Sequence, residues 1–301
     1  MKISLPRCLL SGQHRKEEPM NTFFQSVSLI LERESADLSK ETRKTYRFVL
    51  SKFERAFPKI QCAQVTSAVI QEFRERMHRQ GNCDNTVSKT LATLKTLINK
   101  ARHCGMIQID PFSNIRIRKV NSTRHYLTTE ELQFLHTHFL TDRQNLSRPE
   151  QDAVLAFLFS CFTGLRYSDL KSLMPDEIQN GRIRKQMHKT GEIVYIPLTE
   201  QAAGLLMAAR PQKDGRLLKV AENSYFNRHL RSGVLKLGFS KHIHCHLARH
   251  TFATTCLTLG IPLEVTSKLL GHRNVSTTMI YAKYVDKVLD TEMEKFRELQ
   301  K

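Results

Sequence analysis

Two arginines and a tyrosine in the second half of the chain carry side chains suited to chemistry on a phosphodiester. Arg166 lies in the segment TGLRYSD, and Arg249 lies in the segment HLARHTFAT. Attack on a phosphodiester builds a second negative charge, which two guanidiniums can stabilise by forked hydrogen bonds to the non-bridging oxygens. The phenol of Tyr281 could attack the phosphorus and keep the strand as an aryl phosphate ester, so resealing would need no ATP.

Further side chains could move the protons that this reaction requires. A leaving deoxyribose oxygen is strongly basic, and Lys189 in the segment HKTG is a candidate proton donor. His246 and His272 could move protons at the tyrosine or hydrogen-bond to the phosphate. Asp169 follows Arg166 by three residues, and we expect it to orient an arginine or to cap a helix.

Two of these assignments have a competitor nearby in the sequence. Lys185 belongs to the same predicted hairpin as Lys189, and Tyr284 follows Tyr281 by three residues. The interval from His272 favours Tyr281, which leaves Tyr284 in packing or polar support.

A dense group of imidazoles raises the question of a metal site. The run HIHCH at 242–246 is followed by His250. Adjacent side chains cannot all face one ion, and the seven cysteines form no CxxC pair, so we predict no metal. Scattered cysteines in odd number are typical of reduced intracellular thiols.

The region that must position these residues is predicted to be helical with one β insert. Asn180-Gly181 is a hairpin turn signal, and residues 182–187 and 192–198 have strand character, with Lys189 in the connection between them. The apolar run 153–162 predicts a buried helix. Other helices are expected to begin near Leu127, Thr199, Asn223, Leu247 and Pro262, and an amphipathic tail covers 285–301.

The N-terminal region from 21 to 118 is predicted to be a bundle of four helices with basic outer faces. Ser39, Thr66 and Asn85 are the expected starts of the second, third and fourth helices. Basic residues on these helices and in the segment that follows are candidates for contact with a nucleic-acid backbone: Arg43, Lys44, Arg47, Arg74, Arg76, Lys89, Lys95, Arg116, Arg118 and Lys119.

The charge balance supports a polyanionic partner. Lys and Arg number 47 against 29 Asp and Glu, a net charge of +18, which indicates nucleic acid first and an anionic membrane second. No apolar run approaches the ~18 residues of a membrane span, which excludes a transmembrane protein. The predicted organisation is a leader over 1–20, a helical domain over 21–118, a linker over 119–126 and a second domain over 127–301.

The order of the reactive residues resembles that of the tyrosine recombinase (phage integrase) family. That family has an arginine, a lysine on a β-hairpin, His-x-x-Arg, a histidine or tryptophan, and then the tyrosine, with a Leu-Gly-His block nine residues before it. Arg166, Lys189, His246 with Arg249, His272 and Tyr281 match in this order and at this interval. Ala248 departs from the acidic residue common within His-x-x-Arg, without removing a reacting group.

The resemblance implies a mainly α (α+β) fold, with a helical core-binding domain and a mostly helical catalytic domain that contains a small antiparallel β-hairpin. It implies a site-specific DNA recombinase that forms a 3′-phosphotyrosyl intermediate and a Holliday junction, without metal or nucleotide cofactor. The implied partners are double-stranded DNA and further copies of the chain, as a tetramer on two DNA sites with possible exchange of the C-terminal helix. No membrane and no small-molecule substrate are implied, and the expected location is the cytoplasm, at the nucleoid.

Two other functions use the same features. A DNA-binding regulator that has lost catalysis would bind a specific sequence without nicking it. A type IB topoisomerase-like enzyme would relax supercoiled plasmid of any sequence. The sequence does not distinguish integration, excision, inversion and dimer resolution.

Overall fold

The computed structural model describes residues 22–118, 125–210 and 212–282. The chain divides into two compact units, Met1–Thr123 and Arg124–Lys301. The predicted leader, Lys119, Tyr284, the amphipathic tail and most of the predicted linker lie outside the described residues. The mainly helical fold with a small antiparallel sheet is confirmed.

The described part of the first unit, residues 22–118, contains four α-helices, as predicted. They are α1 (Phe23–Arg33), α2 (Lys40–Ala56), α3 (Ser67–Arg79) and α4 (Asp84–His103). Ser39 caps α2 by accepting a hydrogen bond from the Thr42 N–H at 3.2 Å.

One predicted helix start in this unit is wrong. Asn85 does not cap α4, because Cys83 is the extended residue before the helix and Asp84 and Asn85 lie inside its first turn. A carboxylate such as that of Asp84 is stabilised there by the helix dipole.

The core of the first unit is built around Phe53 of α2, which is fully buried. The ring of Phe53 meets Phe23 of α1 and Phe73 of α3 edge-on, with centroid distances of 5.5 and 5.1 Å. Such edge-to-face pairs stabilise by about 0.5–1.5 kcal/mol beyond their apolar burial. The apolar stripe of α2 therefore faces inward and its basic stripe lies outside.

The second unit surrounds one buried helix, α6 (Arg148–Thr163), which packs against α5 (Thr129–Asp142), α8 (Glu200–Ala208), α9 (Asn223–Lys236) and α10 (Cys245–Thr258). Helix α6 starts five residues before the predicted position at 153. Ser147 and Glu150 form a capping box there, so the polar first turn belongs to the helix. Helices α7 (Tyr167–Lys171) and α11 (Leu263–Leu269) are short, and α12 (Met279–Ala282) reaches the end of the described residues.

A three-stranded antiparallel sheet in the order β1-β2-β3 completes the second unit. Its strands are β1 (Ile178–Gln179), β2 (Arg182–Gln186) and β3 (Ile193–Pro197). The predicted hairpin turn is confirmed, since Asn180 and Gly181 both have positive φ, 51° and 70°. Strand β1 was not predicted, because two residues are too few to show an alternating pattern.

None of the described helices has the length and apolar character that crossing a membrane requires.

Candidate functional site

Arg166 is presented by a tight turn between α6 and α7. Gly164 ends α6 with a φ of 70°, and a Cβ there would lie 2.5 Å from the ring of Phe252. Only glycine fits this position without strain. The Arg166 side chain is half-buried, and its Nη1 is buried without a hydrogen-bond partner among the described residues. Burial lowers the pKa of Arg166, while Asp169 and Tyr281 raise it.

Arg249 projects from α10 and is 6% exposed. Its two terminal nitrogens donate to the carbonyl of Gly164 at 2.6 Å and to that of Leu270 at 2.5 Å. Burial first, and then Arg166, lowers the pKa of Arg249 to about 9, which leaves it charged at neutral pH. Arg249 therefore ties the end of α6 to the end of α11 and holds a fixed cation beside Arg166.

Asp169 anchors the hairpin that carries Lys189. This carboxylate is fully buried, and its Oδ1 accepts the backbone N–H of His188 at 2.9 Å. Ser172 adds a hydrogen bond of 2.8 Å to His188 Nε2. Lys189 follows directly and is exposed. Asp169 thus orients the hairpin through His188, in addition to its electrostatic effect on Arg166.

Lys185, the alternative to Lys189, is held by other residues of the second unit. Lys185 is 3% exposed and donates to both oxygens of Glu177, at 2.9 and 2.7 Å, and to the carbonyl of Ser172. A buried ion pair of this kind holds the hairpin against the turn before β1 and leaves its amine without access to a ligand.

His246 and His272 both lie in the field of the cations. Burial lowers the pKa of His246, and Lys189, Arg249 and Arg166 lower it further. The same charges add to burial at His272 and bring its pKa to about 4. Both imidazoles are therefore neutral at neutral pH. His272 Nδ1 is hydrogen-bonded to the Thr278 hydroxyl at 2.8 Å, which fixes its ring.

Tyr281 lies on α12, in the same chain as the cations. It is 4% exposed and belongs to a small apolar cluster with Phe252, Leu270 and neighbouring residues. The phenolate form of Tyr281 would raise the pKa of both Arg166 and Arg249, because its oxygen lies close to both guanidiniums. The structure thus brings all six predicted reactive side chains and Asp169 into one site.

His250, which the sequence suggested only as a metal ligand, contacts Tyr281. Its Nδ1 lies 2.8 Å from the Tyr281 hydroxyl, in a hydrogen bond between residues 31 positions apart. The available signal was the helical spacing, because residues four apart such as His246 and His250 share a face of one helix. Ser172 and Thr278 were also missed, and no spacing pattern marks them.

Among the described residues, no group of three or more His, Cys, Asp or Glu side chains could hold a metal ion.

The basic residues predicted to contact a nucleic-acid backbone have different surroundings in the first unit. Lys44, Arg47 and Lys89 are exposed on α2 and α4. Arg76 instead pairs with Glu72, donates to the carbonyl of Ala56 and lies over the ring of Phe57 at 4.6 Å.

The other basic candidates in this unit lie near its last residues or against its core. A cavity of about 420 Å³ is lined by Arg74, Arg116 and Arg118, among others, and Arg74 donates to the carbonyl of Arg116 at 3.2 Å. The amine of Lys95 lies 5.6 Å from the centre of the Phe112 ring. Arg43 is half-buried on α2, with its Nε unpartnered among the described residues.

Sequence profiles match most of the chain. The phage integrase family matches residues 125–287, and the phage integrase SAM-like domain matches residues 22–118. A tyrosine recombinase of Thermosipho africanus is 26% identical over 263 residues, which are 82% of this chain and 90% of the relative. The tyrosine recombinase XerC of Bacillus subtilis is 27% identical over 229 residues, 69% of this chain and 73% of the relative.

Solved structures share the fold. The Tn1549 transposon integrase in complex with circular intermediate DNA has a TM-score of 0.68 at 17% identity, covering 87% of this chain and 95% of that one. A lambda integrase tetramer bound to a Holliday junction has a TM-score of 0.67 at 18% identity, covering 84% and 76%.

Proposed function

Because the chain belongs to the phage integrase family, we propose that it is a site-specific DNA recombinase that cuts and rejoins strands through a 3′-phosphotyrosyl intermediate. Cleavage and rejoining by this route conserve the energy of the broken bond in the aryl phosphate ester, so ATP is not consumed.

The reaction assigns one task to each group of the site. Arg166 and Arg249 bind the non-bridging oxygens while the Tyr281 hydroxyl passes its proton to a neutral imidazole of the site and its oxygen bonds to phosphorus. The bond from phosphorus to the 5′-oxygen breaks, and Lys189 protonates the leaving oxygen. Rejoining reverses these steps with a 5′-hydroxyl from the partner strand.

One observation carries the proposal: a buried guanidinium nitrogen without a partner lies beside a second, fixed guanidinium. Leaving the buried Nη1 of Arg166 unsatisfied costs free energy, and a phosphate oxygen would satisfy it. Arg249 is held by two carbonyls, so little reorganisation is needed when charge develops. Because His246 and His272 are neutral, they can hydrogen-bond to the phosphate but do not neutralise its charge.

The proposed partners are double-stranded DNA and further copies of the chain. The net charge of +18 and the exposed basic residues of α2 and α4 support contact with the backbone through Lys44, Arg47 and Lys89. The lambda integrase tetramer bound to a Holliday junction supports a tetramer of this chain on two DNA sites. The proposal extends to exchange of the C-terminal segment within that tetramer and to action on nucleoid DNA.

The test is capture of the covalent intermediate. Duplexes selected from a randomised pool by the Tyr281→Phe protein are resynthesised with a nick beside the cleavage point, so that rejoining is blocked. The unaltered protein should form an adduct that resists denaturation, and Tyr281→Phe should form none. An adduct in the Tyr281→Phe protein would refute the nucleophile, and sequence-independent relaxation of plasmid would favour a topoisomerase.

A further inference from the structure

We propose that His250 is a positioning residue for the nucleophile: its Nδ1 directs the Tyr281 hydroxyl toward the two arginines. This inference rests on the proposed function and adds to it a residue outside the set identified by sequence order. The observation behind it is the 2.8 Å hydrogen bond between Nδ1 and the hydroxyl, with the ring centroids 5.5 Å apart.

The hydrogen bond adds a direction to the packing that holds the nucleophile. Tyr281 lies in α12, which begins at Met279 shortly after the 3₁₀ turn Val275–Thr277. Phe252 and Leu270 belong to the apolar cluster that buries the tyrosine ring, and apolar packing is not directional. A hydrogen bond has a preferred direction, and the contact with His250 gives that direction to the hydroxyl.

His250 can supply that direction because of its position on α10. The preceding residue, Arg249, is fixed by two backbone carbonyls, and the following residue, Thr251, is fully buried. One rigid segment therefore holds both a guanidinium that binds the phosphate and the hydrogen-bond partner of the attacking oxygen. A displacement of the attacking atom by about 1 Å can reduce a rate ~10²-fold.

The other two histidines of the site have different contacts. His272 uses its Nδ1 for the Thr278 hydroxyl, and His246 is exposed at the first turn of α10, where Lys189 acts on it. His250 contacts the reacting oxygen directly. The three histidines thus divide into two near the cations of the site and one on the nucleophile.

The experiment compares two replacements of His250 in single-turnover cleavage of the nicked duplex at saturating DNA. His250→Phe keeps a ring of similar size without a hydrogen-bonding nitrogen, and His250→Asn retains a polar atom near the position of Nδ1. We expect His250→Phe to cleave about tenfold to a hundredfold more slowly with unchanged DNA affinity, and His250→Asn to regain most of the rate. His242→Phe, the same change at an exposed position, is the matched control and should cleave at the unaltered rate.

A second substrate separates the nucleophile from the leaving group. A bridging sulfur in place of the 5′-oxygen leaves without a proton, so it should restore cleavage to Lys189→Ala and leave His250→Phe slow. Thermal unfolding of each variant reports whether it is folded. The inference is refuted if folded His250→Phe cleaves at the unaltered rate or faster, if His250→Asn is as slow as His250→Phe, or if the sulfur substrate rescues His250→Phe. Absence of any adduct in the unaltered protein would instead refute the proposed function.

Discussion

The two units differ in what they bury. Among the described residues, the first unit buries the polar side chains Ser26 and Thr90 and no charged one, whereas the second buries four charged side chains. These are Glu150, Asp169, Lys185 and Arg249. A buried charge destabilises the folded state unless it is paired. The buried charges of the second unit therefore indicate where side chains are held in fixed positions at a cost in stability.

Burial of charge does not by itself identify function. Glu150 is satisfied by Ser232 at 2.6 Å and Lys236 at 2.8 Å, and Lys185 is satisfied by Glu177. Both pairs hold elements together. Arg166 and Asp169 each keep one buried polar atom without a partner among the described residues, which leaves capacity for a ligand. The difference between satisfied and unsatisfied buried charge can be tested by substitution.

The largest effect is expected from Arg249→Lys. A lysine keeps the charge but cannot donate in a planar fork to the carbonyls of Gly164 and Leu270 and also reach a phosphate. Single-turnover cleavage at saturating DNA should fall ~10²–10³-fold, with a much smaller change in DNA affinity measured by gel shift. Equal losses of rate and affinity would contradict a role in the transition state.

The order of the site residues could be predicted from the sequence because each motif is local. Gly164 and Gly271, which shortly precede Arg166 and His272, both have positive φ, 70° and 59°, as glycine at a turn allows. A Cβ on Gly271 would lie 2.8 Å from Val194. The choice of Lys189 over Lys185 was also present in the sequence. Ile183 and Lys185 share one face of β2, and Met187 directly after the strand continues the alternation, which turns Lys185 into the core.

The contacts of Tyr281 could not be predicted. The hydrogen bond to His250 joins α10 and α12, two elements whose approach depends on the packing of α10, α11 and α12. In the first unit, the helical spacing of apolar and basic residues distinguished the inner faces of the helices from the outer ones. It did not distinguish Arg47, which is exposed, from Arg76, which is held by Glu72 and Ala56. Such differences arise from tertiary contacts.

A satisfied buried charge should affect stability and its pH dependence. Burial alone would raise the pKa of Glu150, but hydrogen bonds from Lys236, Ser232 and Ser147 bring it from 4.5 to about 2. The stabilisation is therefore complete above pH 4.5 and is lost as pH falls toward 2. Glu150→Gln should cost about 3 kcal/mol in urea unfolding at neutral pH, less as the buffer is acidified. The exposed Glu264→Gln is the control, and a pH-independent loss would contradict the assignment.

Backbone geometry at the site gives a somewhat smaller effect. Gly164→Ala combines a positive φ with a Cβ 2.5 Å from Phe252, whereas Gly181→Ala has the same φ of 70° and open space within 4 Å. The control should lose about 1 kcal/mol of unfolding free energy, and Gly164→Ala about 2–3 kcal/mol. Equal losses would mean that Phe252 moves aside without cost.

The smallest effect is expected in the first unit, where the proposed DNA contacts are exposed and individually weak. Arg47→Gln should weaken binding to all duplexes a few-fold and lower the slope of log affinity against log salt by about 0.9, without changing cleavage at saturating DNA. Arg76→Gln should reduce stability with little change in the salt slope, because its guanidinium is held by Glu72 and Ala56. If both variants change the salt slope equally, the contacts of Arg76 within the bundle do not keep it from the DNA backbone. The contrast between the two units would then hold only for the buried charges.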